Sequence, residues 1–167
     1  AGGQTERGVK LIQSMDENGG KLLICGNGGS AAQAQHLAAE LTCSYMARTV
    51  KPIAAVALST DTSAMTAIGN DFGFEHLFSR QVRAIGKPGD VLLAISTSGH
   101  SKNILYAVDA ANELGMATIG MSTDNSKLGT VCQYKIEVPS KYTPTVQECQ
   151  LALIHAICEG LENYRAQ

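Results

Sequence analysis

The chain has 167 residues, of which 44% are hydrophobic and 17% are charged, and its formal net charge is −2. This length suffices for one domain with a buried core, and the composition is that of a globular protein rather than a disordered one. The near-neutral charge and the absence of tryptophan argue against binding to nucleic acid or to an anionic membrane. An anionic ligand would therefore have to be held by local dipoles.

Five cysteines are present, an odd number, and none forms a C-x-x-C pair. This usage is typical of reduced thiols in a cytoplasmic protein. No apolar run approaches the ~20 residues of a membrane span, and no signal-peptide pattern opens the chain. We therefore expect a cytoplasmic protein with no membrane or nucleic-acid partner.

Short apolar runs that favour strands alternate along the chain with longer helical patterns. Most of the runs are nearly continuous in apolar residues, as expected where both faces of a parallel sheet are covered. The predicted strands are 22–25, 53–58, 91–95, 117–121 and 134–138. The predicted helices are 4–18, 30–45, 62–68, 75–85, 101–114, 126–131 and 145–164.

This alternation predicts an α/β fold: a three-layer αβα sandwich around a doubly wound, five-stranded parallel sheet. We expect a single domain over residues 1–167, with an N-terminal helical segment at 1–20 and an α/β core at 21–167. Ligands of such sheets bind beyond the carboxyl ends of the strands, where the strand order reverses. The turns after the first three strands are therefore the candidate sites.

The turn after the first strand, residues 26–31, reads Gly-Asn-Gly-Gly-Ser-Ala. Its glycines allow a tight turn and close approach of the backbone to a ligand. The segment also matches the G-x-G-x-x-A dinucleotide pattern, with Asp61 as a distant candidate for the ribose-binding acid. Glycines that serve only helix–strand packing are the third interpretation.

The helix after this turn carries His36 and Glu40, whose i,i+4 spacing places both side chains on one face. There they can share a metal ion. The alternative is a hydrogen-bonded pair on a solvated surface.

A second polar turn follows the predicted strand 53–58, and Asn70 and Asp71 come after the short helix predicted next. Their side chains can hydrogen-bond sugar hydroxyls. A Gly-Asn-Asp sequence is equally typical of a turn, so both interpretations stay open.

The third strand runs into the turn 96–101, Ser-Thr-Ser-Gly-His-Ser, which is followed by a helix. Four hydroxyls converge there with the free N–H groups of a helix N-terminus, an arrangement that favours an anion. If the turn were only a helix cap, Ser101 alone would suffice. Four hydroxyls in six residues instead predict a phosphate site, most simply for a sugar phosphate.

The last predicted helix contains Gln147 and His155. His155 lies in a strongly apolar run, where a hydrogen-bonded core histidine is the usual explanation. Eight residues correspond to ~12 Å of helix, whereas two ligands of one zinc ion lie within ~4 Å of each other. If both ligate, then either Gln147 precedes the regular helix or the two residues come from different subunits.

Together these segments resemble one family. Gly26-Asn27-Gly28-Gly29-Ser30, His36-x-x-x-Glu40-Leu41-Thr42, Gly69-Asn70-Asp71, Ser96-Thr97-Ser98-Gly99 and Gln147-Glu148 with His155 look like the phosphoheptose isomerases, a branch of the sugar-isomerase (SIS) domain proteins. The similarity runs from about residue 21 to 162.

The resemblance implies conversion of sedoheptulose 7-phosphate to D-glycero-D-manno-heptose 7-phosphate, the first step of nucleotide-activated heptose biosynthesis, which can feed lipopolysaccharide. It also implies a homotetramer with interfacial active sites and one zinc ion per subunit. Glu40 would be the catalytic base and His155 the acid. The implied zinc ligands are His36, Glu40, Gln147 and His155. The implied substrate contacts are Asn27, Gly28, Gly29, Glu40, Asn70, Asp71, Ser96, Thr97, Ser98, Ser101 and Gln147.

The chain departs from the family's common pattern in three places. Gln33 stands where members often carry Asp, Cys43-Ser44 where they carry Gly-Arg, and Gln150 where they frequently carry His. Two other functions compete with the isomerase. A non-catalytic SIS module that senses sugar phosphate or binds a protein would be expected to lose the acid, base and metal positions, and a nucleotide-dependent oxidoreductase rests on the glycine turn alone.

Overall fold

The computed structural model describes residues 2–167. Ala1, the first residue of the predicted N-terminal segment, lies outside the described residues. The strands are β1 (Leu22–Cys25), β2 (Ala55–Ala57), β3 (Val91–Ile95), β4 (Ala117–Thr123) and β5 (Tyr134–Val138). The helices are α1 (Gly2–Glu17), α2 (Gly29–Thr42), α3 (Thr62–Asp71), α4 (Leu77–Ile85), α5 (Lys102–Glu113), α6 (Lys127–Val131) and α7 (Thr143–Arg165), with a 3₁₀ turn at Phe74–His76 before α4.

The five strands form one parallel sheet in the order β2-β1-β3-β4-β5. After β1 the chain forms β2 at one edge of the sheet. It then crosses to the opposite side of β1, where β3, β4 and β5 follow in order. The strand order therefore reverses between β1 and β3, and the carboxyl ends of these two strands form the crevice in which such sheets bind ligands. The predicted fold class is confirmed.

The core has two halves, one on each face of the sheet. Successive residues of a strand point to opposite faces. In β1, Leu22 and Ile24 pack in the half that α1, α2 and α7 cover, whereas Leu23 and Cys25 pack in the half that α4 and α5 cover. All four β1 residues are buried, which explains why the sequence of this strand shows no polar alternation.

Three of the strand predictions match the structure at both ends, and two differ. The edge strand β2 is shorter than predicted because Ile53 N–H donates to Leu41 O at the end of α2 instead of to the sheet. Strand β4 is two residues longer than predicted because Ser122 and Thr123 continue the register with β5.

The helix boundaries differ mainly at three places. Helix α3 ends at Asp71 instead of residue 68. The predicted helix 30–45 ends at Thr42, after which the chain is irregular until β2. In this segment the backbone N–H groups of Met46 and Ala47 donate to the Glu162 carboxylate. The predicted helix 75–85 divides into the 3₁₀ turn and α4.

Within residues 2–167, no helix combines the length and the apolar character needed to cross a bilayer.

Candidate active site

The two turns singled out by the sequence lie side by side at the carboxyl ends of β1 and β3. A small cavity separates them, and its lining comes from both turns. The lining residues are Asn27, Ser30, Ile95, Ser96, Thr97 and Ser101. The predicted glycine turn and the predicted phosphate turn therefore share one site.

Hydrogen bonds fix the hydroxyl turn in a concave shape. Ser96, only 5% exposed, accepts a hydrogen bond from Gly99 N–H through its Oγ (3.1 Å). Ser96 Oγ also lies 3.3 Å from Ser101 Oγ. Ser101 occupies the N-cap position of α5, yet its side chain makes no capping hydrogen bond. Because the cap does not use this hydroxyl, it stays available beside the free N–H groups of the first helical turn, as a phosphate site requires.

Gly99 holds the base of this turn. Its φ of +68° is in the left-handed region, and an added Cβ would overlap Ser126. The Gly99 carbonyl accepts a hydrogen bond from Leu128 N–H (3.0 Å), and Ser126 Oγ lies 2.7 Å from Ser122 Oγ. The buried Ser122–Ser126 pair thus supports the turn from behind. The sequence analysis missed this pair because the two serines lie in another strand–turn unit.

The glycine turn makes room for a side chain of a distant helix. Gly28 has a φ of +54°, and a Cβ at Gly29 would collide with the Gln147 side chain. Gly29 therefore lies against the flexible end of the Gln147 side chain, a contact between α2 and α7 in addition to helix–strand packing. The dinucleotide interpretation loses its acid, because Asp61 is the N-cap of α3 and accepts a hydrogen bond from Ala64 N–H (2.9 Å).

Asn103, a residue that the sequence analysis missed, connects the two turns. It lies in the first turn of α5, is 2% exposed, and forms a reciprocal amide pair with Asn27. A polar residue one position inside a helix, directly after the hydroxyl turn, is the signal that could have identified it.

A second cluster lies further along α2. His36 Nε2 is 3.1 Å from His155 Nε2 and 3.3 Å from Glu40 Oε1. The ring of Tyr45 lies 5.8 Å from that of His155, centroid to centroid. The His36 and Glu40 side chains are 39% and 25% exposed, so the cluster is open to solvent. The predicted pairing of His36 with Glu40 is present, and His155 belongs to it rather than to the apolar core.

Gln147 lies away from this cluster. It is inside α7, which begins at Thr143, so the structure excludes the idea that Gln147 precedes the regular helix. Its backbone carbonyl accepts a hydrogen bond from Gln33 Nε2 (2.8 Å), and its side chain lies against Gly29. Two helical turns separate it from His155. Within one chain these two residues do not meet at one ion.

The donor set can be compared with the geometry of zinc. Two nitrogens bound to one tetrahedral zinc ion lie ~3.3 Å apart, close to the separation of the His36 and His155 Nε2 atoms. In residues 2–167, however, no three histidine, cysteine, aspartate or glutamate side chains are arranged to hold a metal ion. The histidine pair therefore fits zinc, while the complete ligand set is not assembled in one chain.

Asn70 and Asp71 occupy the last turn of α3 instead of the loop that the sequence analysis expected. Both are exposed, and Asn70 Nδ2 donates to Asp71 Oδ1 (2.8 Å). Neither lines the cavity between the two turns. Their predicted contact with substrate stays a prediction.

Two of the departures from the family pattern are buried amides. Gln33 donates to Gln147 O, and Gln150 donates to Met121 O (3.3 Å), and the Oε1 atom of each has no hydrogen-bond partner. Both side chains thus tie the start of α7 to neighbouring elements.

Comparison with known proteins identifies the family. A model of the SIS domain matches residues 3–123. A phosphoheptose isomerase of Helicobacter hepaticus is 52% identical over 154 residues, which cover 92% of this chain and 78% of the relative. One from Rhodospirillum rubrum is 51% identical over 146 residues, covering 87% and 77%.

Solved structures agree. A phosphoheptose isomerase from Neisseria gonorrhoeae superimposes with a TM-score of 0.89 at 48% identity, covering 96% of this chain and 85% of that one. A phosphoheptose isomerase from Francisella tularensis gives 0.91 at 35% identity with the same coverage. The chain therefore belongs to the phosphoheptose isomerase family of SIS-domain proteins.

Proposed function

We propose that this protein is an aldose–ketose isomerase that converts sedoheptulose 7-phosphate to D-glycero-D-manno-heptose 7-phosphate. The observation that carries the proposal is that helix α2 connects two chemically different clusters. One is the pair of turns that line the cavity, and the other is the His36, Glu40 and His155 cluster. Helix α2 starts at the glycine turn, which faces the hydroxyl turn at residues 96–101, here named the hydroxyl cradle. The same helix carries His36 and Glu40 further along. The rise from Gly29 to His36 is ~10 Å, a span suited to a chain of seven carbons that is anchored by its phosphate.

The cradle binds the phosphate at one end of the substrate. The Ser96 and Ser101 hydroxyls and the first N–H groups of α5 supply donors to the phosphate oxygens. Because the net charge of the chain is slightly negative, this local set of dipoles provides the attraction that bulk charge does not. Anchoring the phosphate holds C1 and C2 in one place at the other end.

The proton transfers belong to the second cluster. Glu40 removes a proton from C1 of the ketose while the C2 carbonyl oxygen gains one, which gives an enediol through an enediolate-like transition state. Loss of the proton from O1 and return of a proton to C2 then complete the aldose. His155 moves the proton between the two oxygens. No outside oxidant or reductant is needed because C1 is oxidised as C2 is reduced.

We propose zinc as the metal of this site, with His36 and His155 as the ligands that are already close enough to share it. Glu40 would join them by a change of side-chain rotamer on metal binding, and Gln147 of the partner subunit would be the fourth ligand. The separation of the two Nε2 atoms supports the nitrogen pair. When bound, zinc would polarise the carbonyl and hydroxyl oxygens of the substrate. Glu40 has two carboxylate oxygens, so one can face the metal while the other takes the proton.

A homotetramer in the cytoplasm is part of the proposal. The location of Gln147, two helical turns from His155, supports a site completed by a second copy. Exposed apolar side chains on several elements support further burial in an assembly, among them Phe72, Phe74 and Leu151. Five cysteines without a disulfide agree with a reducing compartment. The heptose product would enter the synthesis of a surface glycan such as lipopolysaccharide.

The direct test is incubation of the purified protein with sedoheptulose 7-phosphate, followed by separation of ketose and aldose phosphates. We expect an equilibrium mixture of the two heptose phosphates, zinc at one ion per subunit, and loss of both zinc and activity in His36→Ala. Full activity after complete removal of metal would contradict the zinc proposal alone. Binding of the sugar phosphate without any conversion would instead support a non-catalytic sugar-phosphate module.

A further inference from the structure

The two substrate-binding turns are joined by one buried amide pair. Asn27 Nδ2 donates to Asn103 Oδ1, and Asn103 Nδ2 donates to Asn27 Oδ1, both at 2.8 Å. Asn27 belongs to the turn after β1, whereas Asn103 lies at the start of α5, directly after the hydroxyl turn. These bonds therefore bridge the two sides of the cavity.

The pair fixes the orientation of the Asn27 amide. In a reciprocal pair each side chain uses one N–H and one lone pair, and rotating either amide by 180° would place N–H against N–H and oxygen against oxygen. The second N–H of Asn27 is then left for another partner. Asn27 lines the cavity, whereas Asn103 does not.

The apolar contacts of α5 with the core are made by residues other than Asn103. The helix is held in the core by Ile104, Ala107 and Val108, together with further small apolar residues. A buried amide at position 103 is costly unless its hydrogen bonds are made, and Asn27 makes one of each kind. The polar residue at this site is explained by what it does to Asn27.

We propose that Asn103 is a positioning residue for the phosphate end of the site. It orients the Asn27 amide toward the phosphate ester and sets the distance between the glycine turn and the hydroxyl cradle. It acts on the substrate through Asn27 and does not touch it. The proposal rests on the proposed function only for the identity of the sugar; the ligand chemistry itself is a phosphate monoester.

The test is a double-mutant cycle between Asn103→Leu and Asn27→Ala, with two readouts. These are KM and kcat for the heptose phosphate, and the calorimetric Kd for inorganic phosphate. Because one buried partner is lost, we expect Asn103→Leu alone to raise both KM and Kd about tenfold while kcat changes less than about threefold. If Asn103 acts through Asn27, the same substitution in the Asn27→Ala background adds less than about threefold.

The matched control is Asn112→Leu, since Asn112 is an exposed asparagine on the same helix. It should leave both constants unchanged. Should Asn103→Leu fail to fold, Asn103→Ala removes both hydrogen bonds without adding a charge or a larger side chain, and the same cycle applies. Values of KM and Kd within about twofold of the wild type, or an equal loss in both Asn27 backgrounds, would overturn the proposal.

The two proposals fail in different ways. A wild-type protein that binds phosphate but converts no sugar contradicts the isomerase function, and the Kd cycle still measures the role of Asn103. A wild-type protein that isomerises the sugar with no coupling between positions 27 and 103 contradicts only the role of Asn103.

Discussion

The two ends of the site are built in different ways. The proposed phosphate end uses consecutive residues, 96–101, and the backbone of two turns at the switch point of the sheet. The proposed proton-transfer end uses side chains from α2 and α7, where His36 and His155 are 119 positions apart in sequence. All the residues proposed for the phosphate end that line the cavity come from a single chain. At the other end, the Gln147 side chain lies against Gly29 and not beside the histidine pair.

This difference separates binding from chemistry. Anion binding by N–H groups and hydroxyls needs only local backbone geometry, which short motifs specify. Proton transfer needs a carboxylate and an imidazole at defined positions, which only the packing of distant helices provides. Substitutions at the two ends should therefore affect different kinetic constants.

The largest effect is expected at the proton-transfer end. Glu40→Gln removes the base but keeps the shape of the side chain, so kcat should fall about 1,000-fold with KM within a few-fold of the wild type. Steady-state kinetics with the heptose phosphate measure both constants. Glu17→Gln, which changes an exposed carboxylate at the end of α1, is the control and should leave both constants unchanged. Equal rates for Glu40→Gln and wild type would remove Glu40 from the mechanism.

A second test concerns the rigidity of the phosphate end. Gly99 and Gly89 both have positive φ, but a Cβ meets Ser126 at position 99 and open space at position 89. Gly89→Ala should cost about 1 kcal/mol of unfolding free energy from backbone strain alone, whereas Gly99→Ala should cost about 3 kcal/mol because of the added overlap. Urea unfolding measures both. Equal losses of unfolding free energy would mean that Ser122 and Ser126 move aside at little cost to accommodate the new Cβ.

Ser101→Ala tests phosphate binding without disturbing the chemistry. The variant loses one hydroxyl donor to a charged ligand, so KM should rise about tenfold while kcat stays within about twofold. Ser14→Ala on the exposed surface of α1 is the control. A fall in kcat with unchanged KM would contradict phosphate binding by Ser101 and would indicate a role in the proton transfers.

The smallest effect is expected at the cysteines, which neither end uses. Burial raises the pKa of the Cys25 thiol strongly and that of Cys132 to about 12. Burial, with a further contribution from the Glu40 carboxylate, raises the pKa of Cys158 to about 12. Since a raised pKa lowers the thiolate fraction, these three should resist iodoacetamide at pH 8 while exposed Cys43 reacts. Mass spectrometry measures this, with the urea-unfolded chain as the fully reactive control.

The sequence was most informative where the local pattern determines the structure. Continuous apolar runs identified β1 and β3, the short β-rich segment at 134–138 identified β5, and the density of hydroxyls identified a turn that lines the cavity. Prediction was weakest where another element decides the outcome. The start of β2 depends on Leu41 O, and the end of β4 depends on its register with β5. Asn103 escaped notice because its partner Asn27 is 76 positions away.

The position of His155 also depends on packing between distant elements, which local sequence patterns do not predict. An imidazole in an apolar run is normally a core residue, and only the packing of α7 beside α2 places it against His36. Family resemblance supplied what periodicity could not. The resemblance also implied that four residues bind one zinc ion. The position of Gln147, two helical turns from His155, shows that a single subunit does not bring all four together.

Hydrogen exchange during turnover tests the central claim most directly. The wild-type protein and sedoheptulose 7-phosphate are incubated in D₂O and followed by NMR. A proton removed from C1 and returned at C2 by a base in contact with solvent should leave deuterium at C2 of the aldose and, on reversal, at C1 of the ketose. Glu40→Gln should show neither signal. Wild-type protein that binds the heptose phosphate yet leaves both carbons unlabelled and the ketose unconverted would contradict the isomerase assignment.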